Sequence, residues 1–96
     1  MTAYLIAQIR YTRTAGWPEY KQRVSAFFAR HGGRYIVRGS SVEVLEGVHD
    51  GRQLIVFEFP SLEVIRMVWA SPEYAAIKAF REGGGDLDAW AVAGVD

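Results

Sequence analysis

No cysteine occurs among the 96 residues, which excludes disulfide frameworks, thiol nucleophiles and thiolate metal sites together. No charge of one sign prevails either: Lys+Arg and Asp+Glu are equal at 11 each, for a formal net charge of zero. A chain so balanced, with no basic cluster, lacks the electrostatic footprint of a nucleic-acid binder. Its aromatic and basic residues are also too scattered to form a stacking platform for bases. Long apolar runs are missing as well. The stretch Ala3–Ile9 is too short to span a membrane. It has no basic flank before it and no small-residue cleavage site after it, so a cytoplasmic protein is the expectation.

What the chain does have is apolar surface in excess of its size. It is long enough for one domain, residues 1–96, and too short for two. A domain this small buries only about 60–65% of the surface its unfolded chain exposes, yet 50% of the residues are hydrophobic and 14% aromatic. A small monomer cannot hide all of that, which argues for a second chain against it. The plainer alternative is a set of half-exposed Tyr and Trp side chains with no partner.

Ala3–Thr12 reads as a strand, with Tyr4, Ile6, Gln8 and Arg10 alternating with Leu5, Ala7, Ile9 and Tyr11. The second set is uniformly apolar, whereas the first starts apolar and ends polar. Pro18 suits the first turn of a helix, and Tyr20, Val24, Phe27 and Phe28 recur at helical spacing through to His31. Gly32-Gly33 then closes that helix. Arg34–Val37 and Val42–Glu46 read as two halves of one strand, bent or bulged at Gly39-Ser40-Ser41. Gln53–Phe59 is the strongest strand, apolar on both faces except at Glu58. Ser61 can cap a helix carrying Val64, Ile65, Val68 and Trp69. Ser71-Pro72 restarts it in a new direction, with Tyr74, Ile77, Ala79 and Phe80 inward; Gly83-Gly84-Gly85 ends it, and Leu87–Val95 forms a last strand.

The order β-α-β-β-α-β makes an α+β fold of ferredoxin-like topology: a four-stranded antiparallel sheet with its helices on one face. The other face is left bare. Because Gln53–Phe59 is apolar on both sides, that bare face needs a cover, and two such sheets packed face to face would close a barrel-like homodimer.

The segments Gly33-Arg34-Tyr35-Ile36-Val37-Arg38-Gly39, Val42-Glu43-Val44-Leu45-Glu46-Gly47, Glu58-Phe59-Pro60-Ser61 and Ser71-Pro72-Glu73-Tyr74 resemble the domain-of-unknown-function 1330 family, and the likeness extends to the closing Val92-Ala93-Gly94-Val95. The resemblance implies the dimeric α+β barrel group with ferredoxin-like topology and implies no reaction. Relatives at the level of fold include small monooxygenases, haem-degrading enzymes and muconolactone-isomerase-like proteins, and function carried from them would be analogy. One departure stands out: Ser40 follows Gly39 where family members often carry a second glycine.

Chemistry is concentrated in a few polar residues. Glu58, at the end of an apolar strand, needs a cation or several donors, with Arg38 or Arg10 as partner. Such an Arg–Glu pair either fixes the structure or takes a small carboxylate bidentately. Tyr35, Trp69 and Tyr74 can wall a cavity, with Arg81 seven residues beyond Tyr74 on the same side of the last helix; read otherwise, they are core. An aromatic pocket with one cation suits a small aromatic, keto or enol-like acid. His31, at a helix end favoured by the dipole, and Glu58 are the candidate acid–base groups, ahead of His49 in its turn. Neither histidine has a second ligand at metal spacing, so no metal and no cofactor is expected. Gly83-Gly84-Gly85 does not follow a strand into a helix and is no phosphate cradle. The candidate ligand-binding set is therefore Arg38, Glu58, Tyr35, Trp69, Tyr74 and Arg81. The readings left open are a binder of a small acid, a non-catalytic dimeric module, and a cofactor-independent monooxygenase or isomerase.

Overall fold

The computed structural model describes residues 1–95; Asp96, the last residue of the expected domain span, lies outside the described residues. Four strands, β1 (Ala3–Tyr11), β2 (Arg34–Ser40), β3 (Gln53–Phe59) and β4 (Gly85–Ala93), form one sheet in the order β2-β3-β1-β4. Every pairing is antiparallel. Helices α1 (Trp17–Arg30), α2 (Leu62–Ala70) and α3 (Pro72–Lys78) follow β1 and β3, and a 3₁₀ turn at Ala79–Arg81 leads into β4. This is the α+β, ferredoxin-like arrangement read from the sequence, with the second helix divided where Ser71-Pro72 stands.

Local chemistry sets these boundaries. Pro18 lies in the first turn of α1, behind Gly16, whose φ of 88° and whose approach to the Phe80 carbonyl leave no room for a side chain. At the other end the amide of Gly33 returns to the Phe28 carbonyl at 2.8 Å. The Ser61 hydroxyl accepts from the amide of Val64 at 3.2 Å, and that of Ser71 from the amide of Tyr74 at 3.1 Å, so each serine caps the helix that follows it.

The helices bury one face of the sheet. Ala3, Leu5, Phe57 and Phe59 meet Val24, Phe27 and Phe28 of α1, Ile65 and Val68 of α2, and Tyr74 and Ile77 of α3. Phe28 sits at the centre, edge-on to Phe57 and Phe59 and stacked near Tyr74. Burying each such side chain stabilises the fold by about 1.5–3 kcal/mol. Cross-strand neighbours on the opposite face are Ile6 with Val56 and Trp90, Tyr4 with Val92, and Gln8 with Leu54. Trp90 and Val92 are 46% and 41% exposed there.

Three sequence expectations require correction. Val42–Glu46 is no strand: residues 41–52 form an irregular arm in which Leu45 is 89% exposed and Val48 wholly so. The segment has strand-forming residues, but β3 already has β2 on one side and β1 on the other, and alternation without a pairing partner does not make a strand. Ala79 and Phe80 are exposed, not inward, because α3 tightens to a 3₁₀ turn at Ala79 and the period changes from 3.6 to about 3 residues. Phe80 lies beneath the Arg23 guanidinium instead. Finally, Glu58 shares the uncovered face with Tyr4 and pairs with Arg34 at 3.2 Å, not with Arg38 or Arg10.

Candidate functional site

A cavity of about 500 Å³ opens between α1 and the helix-side face of the sheet. Its construction begins with an irregularity in β2. Tyr35 opposes Phe57, Val37 opposes Val56 and Arg38 opposes Ile55, so the register shifts once at Ile36 and again at Gly39. In a regular strand Tyr35 and Arg38, three residues apart, would face opposite sides. The bulge at Ile36 inserts one residue and turns Arg38 to the side that Tyr35, Ile55 and Phe57 already occupy. The Arg38 guanidinium thereby lies 4.6 Å from the centre of the Tyr35 ring and lines the cavity. The second bulge occupies the expected bend: Gly39 has φ 82°, in the left-handed region that favours glycine.

The opposite wall is α1. Trp17, Lys21, Val24 and Phe28 line the cavity at helical spacing, with Tyr20, Gln22 and Ser25 beside them. Lys21 holds its ammonium 4.7 Å from the Tyr11 ring. The Ser25 hydroxyl donates to the Lys21 carbonyl at 2.7 Å, and its oxygen is 3.4 Å from the Tyr35 hydroxyl. Gln53, Leu87 and Trp69 complete the lining. Neither Lys21 nor Arg38 forms an ion pair among the described residues, and no carboxylate or histidine lines the cavity. Two cations, each set against an aromatic ring and without an ion pair among the described residues, form an arrangement that can attract a flat anion.

Behind the cavity is a buried polar cluster. The Tyr20 and Tyr74 hydroxyl oxygens are 2.9 Å apart, and Arg81 donates through Nη2 to the Tyr74 oxygen at 3.2 Å. The Arg81 guanidinium also lies over the Tyr20 ring. Trp69 stacks on Tyr74 with centroids 4.6 Å apart. Burial, reinforced by Tyr74, pushes the Tyr20 phenol well above its ordinary range despite the opposing pull of Arg81. Tyr20 is thus a neutral wall, not a phenolate base.

Of the sequence-derived site residues, Arg38, Tyr35 and Trp69 line the cavity, while Tyr74 and Arg81 buttress it from behind through Tyr20. Glu58 lies on the other face of the sheet. His31 ends α1 with its ring edge-on to Phe27, away from the cavity. His49 belongs to the arm, where its Nδ1 accepts from the amide of Gly51 at 3.1 Å. Sequence reasoning missed Lys21, Ser25 and Gln53. The spacing of Lys21, Val24, Ser25 and Phe28 on one helix face was the available signal, and Gln53 shares alternation with Ile55 and Phe57. Among the described residues no group of three or more His, Asp or Glu could hold a metal ion, and no helix is long and apolar enough to cross a membrane.

Known structures resemble this architecture. A protein of unknown function from Rhodopseudomonas palustris superposes with a TM-score of 0.77 at 17% identity, covering 99% of this chain and 83% of its own. SnoaB, a cofactor-independent oxygenase from Streptomyces nogalater, does so with a TM-score of 0.64 at 15% identity, covering 99% of this chain and 94% of its own. A dimeric ferredoxin-like protein of unknown function from Bacteroides fragilis gives 0.61 at 12% identity, covering 97% of this chain and 96% of its own. At such identities these likenesses establish the fold alone. Among curated proteins none matches significantly. The model of one family, described as a domain of unknown function (DUF1330), matches residues 2–95, and the chain belongs to that family.

Proposed function

We propose that the chain is a single-domain, homodimeric cytoplasmic protein that binds a small aromatic or keto acid in the cavity between α1 and the sheet. The observation that carries this reading is the pair Arg38 and Lys21 at an aromatic cavity, each against a ring and neither compensated by a carboxylate. A planar acid would place its ring among Tyr35, Phe57 and Trp17 and its carboxylate at the two cations, with Gln53 and Ser25 as further polar partners. The dimer is supported by the apolar sheet face that the helices leave uncovered, and by the dimeric state of the Bacteroides fragilis neighbour. Binding is favoured over catalysis because the candidate acid–base groups His31 and Glu58 both stand outside the cavity.

A melting screen against small aromatic acids, keto acids and their neutral amides tests the reading. An acid present at about one hundred times its dissociation constant adds roughly 2.7 kcal/mol of stability, which for a domain of this size is a shift of roughly 10–20 °C. Arg38→Ala removes a charge-assisted contact of about 1.5–3 kcal/mol, so the dissociation constant should rise roughly 10–100-fold with little change in the melting point of the free protein. Equal shifts from acids and amides, or shifts unaltered in Arg38→Ala, would sink it.

A further inference from the structure

The arm 41–52 presents an anomaly. Val44, Leu45 and Val48 are 49%, 89% and 100% exposed on a segment that makes no strand in its own chain, and adjacent exposed apolar residues of this kind mark an interaction surface. Among the described residues the side-chain contacts of the arm lie at its far end. Arg52 bridges Asp50 and Asp88 at 2.8 Å each, and Arg10 donates to the Asp50 carbonyl. Arg10 and Asp88 both belong to the uncovered face, because Arg10 pairs with Asp86 and Gln8 with Asp88 on the side opposite Leu5 and Ile9. The arm therefore leaves the molecule on the side that a second copy would cover.

A second recess lies on the opposite border of the sheet. Leu5, Ile65, Trp69, Ala89 and Ala91 line a groove of about 310 Å³ between α2 and β4, with Arg66 at its rim and no acidic residue in its lining. Arg66 forms no ion pair among the described residues. Beside the groove runs β4, an edge strand whose outer amides and carbonyls have no neighbouring strand.

Resting on the homodimer proposed above, we infer that the arm of each subunit, centred on Val44 and Leu45, docks in the α2–β4 groove of the other, with Glu43 and Glu46 facing Arg66. Topology permits this. β2 and β4 are the two edges of the sheet, so two sheets packed face to face about a twofold axis along the strands set β2 of each copy over β4 of the other. The level along the strands also agrees. Ser40 pairs with Leu54, Leu54 with Gln8, and Gln8 with Asp88, so the arm departs at the level of Asp88. The same level in the second copy adjoins the groove at Ala89–Ala91. Residues 42–48 can extend over about 23 Å, enough to round the β4 edge. Complementarity is both apolar and electrostatic: two aliphatic side chains flanked by two glutamates meet an apolar groove rimmed by a lone arginine.

Sedimentation velocity over a concentration series tests the assignment on the full chain. Leu45→Asp and Arg66→Glu alter exposed positions, so the circular dichroism of the subunit should stay unchanged. Each should raise the dimer dissociation constant at least tenfold, and combining Glu43→Arg and Glu46→Arg with Arg66→Glu should recover part of the loss. Val56→Glu, placed at the centre of the uncovered face, reports on the sheet-to-sheet contact independently. A wild-type dimer disrupted by Val56→Glu yet indifferent to Leu45→Asp and Arg66→Glu overturns the arm while keeping the homodimer. A wild-type chain that remains monomeric at high concentration overturns both.

Discussion

Tyr20 and Tyr74 illustrate how single residues connect the core to the cavity. Tyr74 is 1% exposed, and its hydroxyl is satisfied by Tyr20 and Arg81, so a polar group can stand in the core without the cost of an unpaired hydroxyl. Because burial holds the Tyr20 phenol above its unfolded value of 10.0, the folded chain keeps a proton that the unfolded chain releases. Stability is therefore independent of this group below about pH 10 and falls as the pH rises beyond it. Chemical denaturation between pH 9 and 11 should show that decline, and Tyr20→Phe should flatten it; an equal decline in both proteins would place the ionisation elsewhere. This cluster was partly legible in the sequence, since the seven-residue interval between Tyr74 and Arg81 predicts their contact. Tyr20 was not identified with them, because α1 and α3 are distant in sequence and no local spacing reports their packing.

At the scale of elements, β2 decides the site. Prolines, serines and glycines made the helix boundaries readable, and the left-handed Gly39 made the second bulge readable. The first bulge, at Ile36, carries no such mark: isoleucine favours regular strands, and only the register against β3 discloses it. That is why the sequence placed Arg38 near Glu58, whereas the fold sets them on opposite faces. Inserting one alanine between Val37 and Arg38 adds a step of alternation and turns Arg38 to the face opposite Tyr35. The expected outcome is loss of the acid-dependent melting shift with the arginine still present, matching Arg38→Ala. A shift that survives the insertion would show that the register of β2 does not aim the side chain. The arm was misread for the converse reason. Val42–Glu46 has the alternation of a strand, and alternation specifies a face but not a partner.

For the whole molecule, the uncovered sheet face was the most legible feature, because Gln53–Phe59 could not be apolar on both sides without a second cover. Less legible was the pin at its end. Asp50 accepts from the backbone and the side chain of Arg52, chiefly the former, which lowers its pKa from 3.8. A carboxylate lowered in this way favours the fold above its unfolded value, and the contribution fades as acid protonates it below that value. Protection factors against hydrogen exchange in residues 49–52 should therefore drop below about pH 4 before the core opens, and Asp50→Asn should show the lowered protection already at neutral pH.

Trp69 borders both the cavity and the α2–β4 groove. A side chain that serves as the common wall of two recesses would link the occupants proposed for them wherever either one shifts the indole. The linkage is reciprocal. An acid that settles the ring in one orientation would change the affinity of one subunit for the other by the same factor by which assembly changes its affinity for the acid.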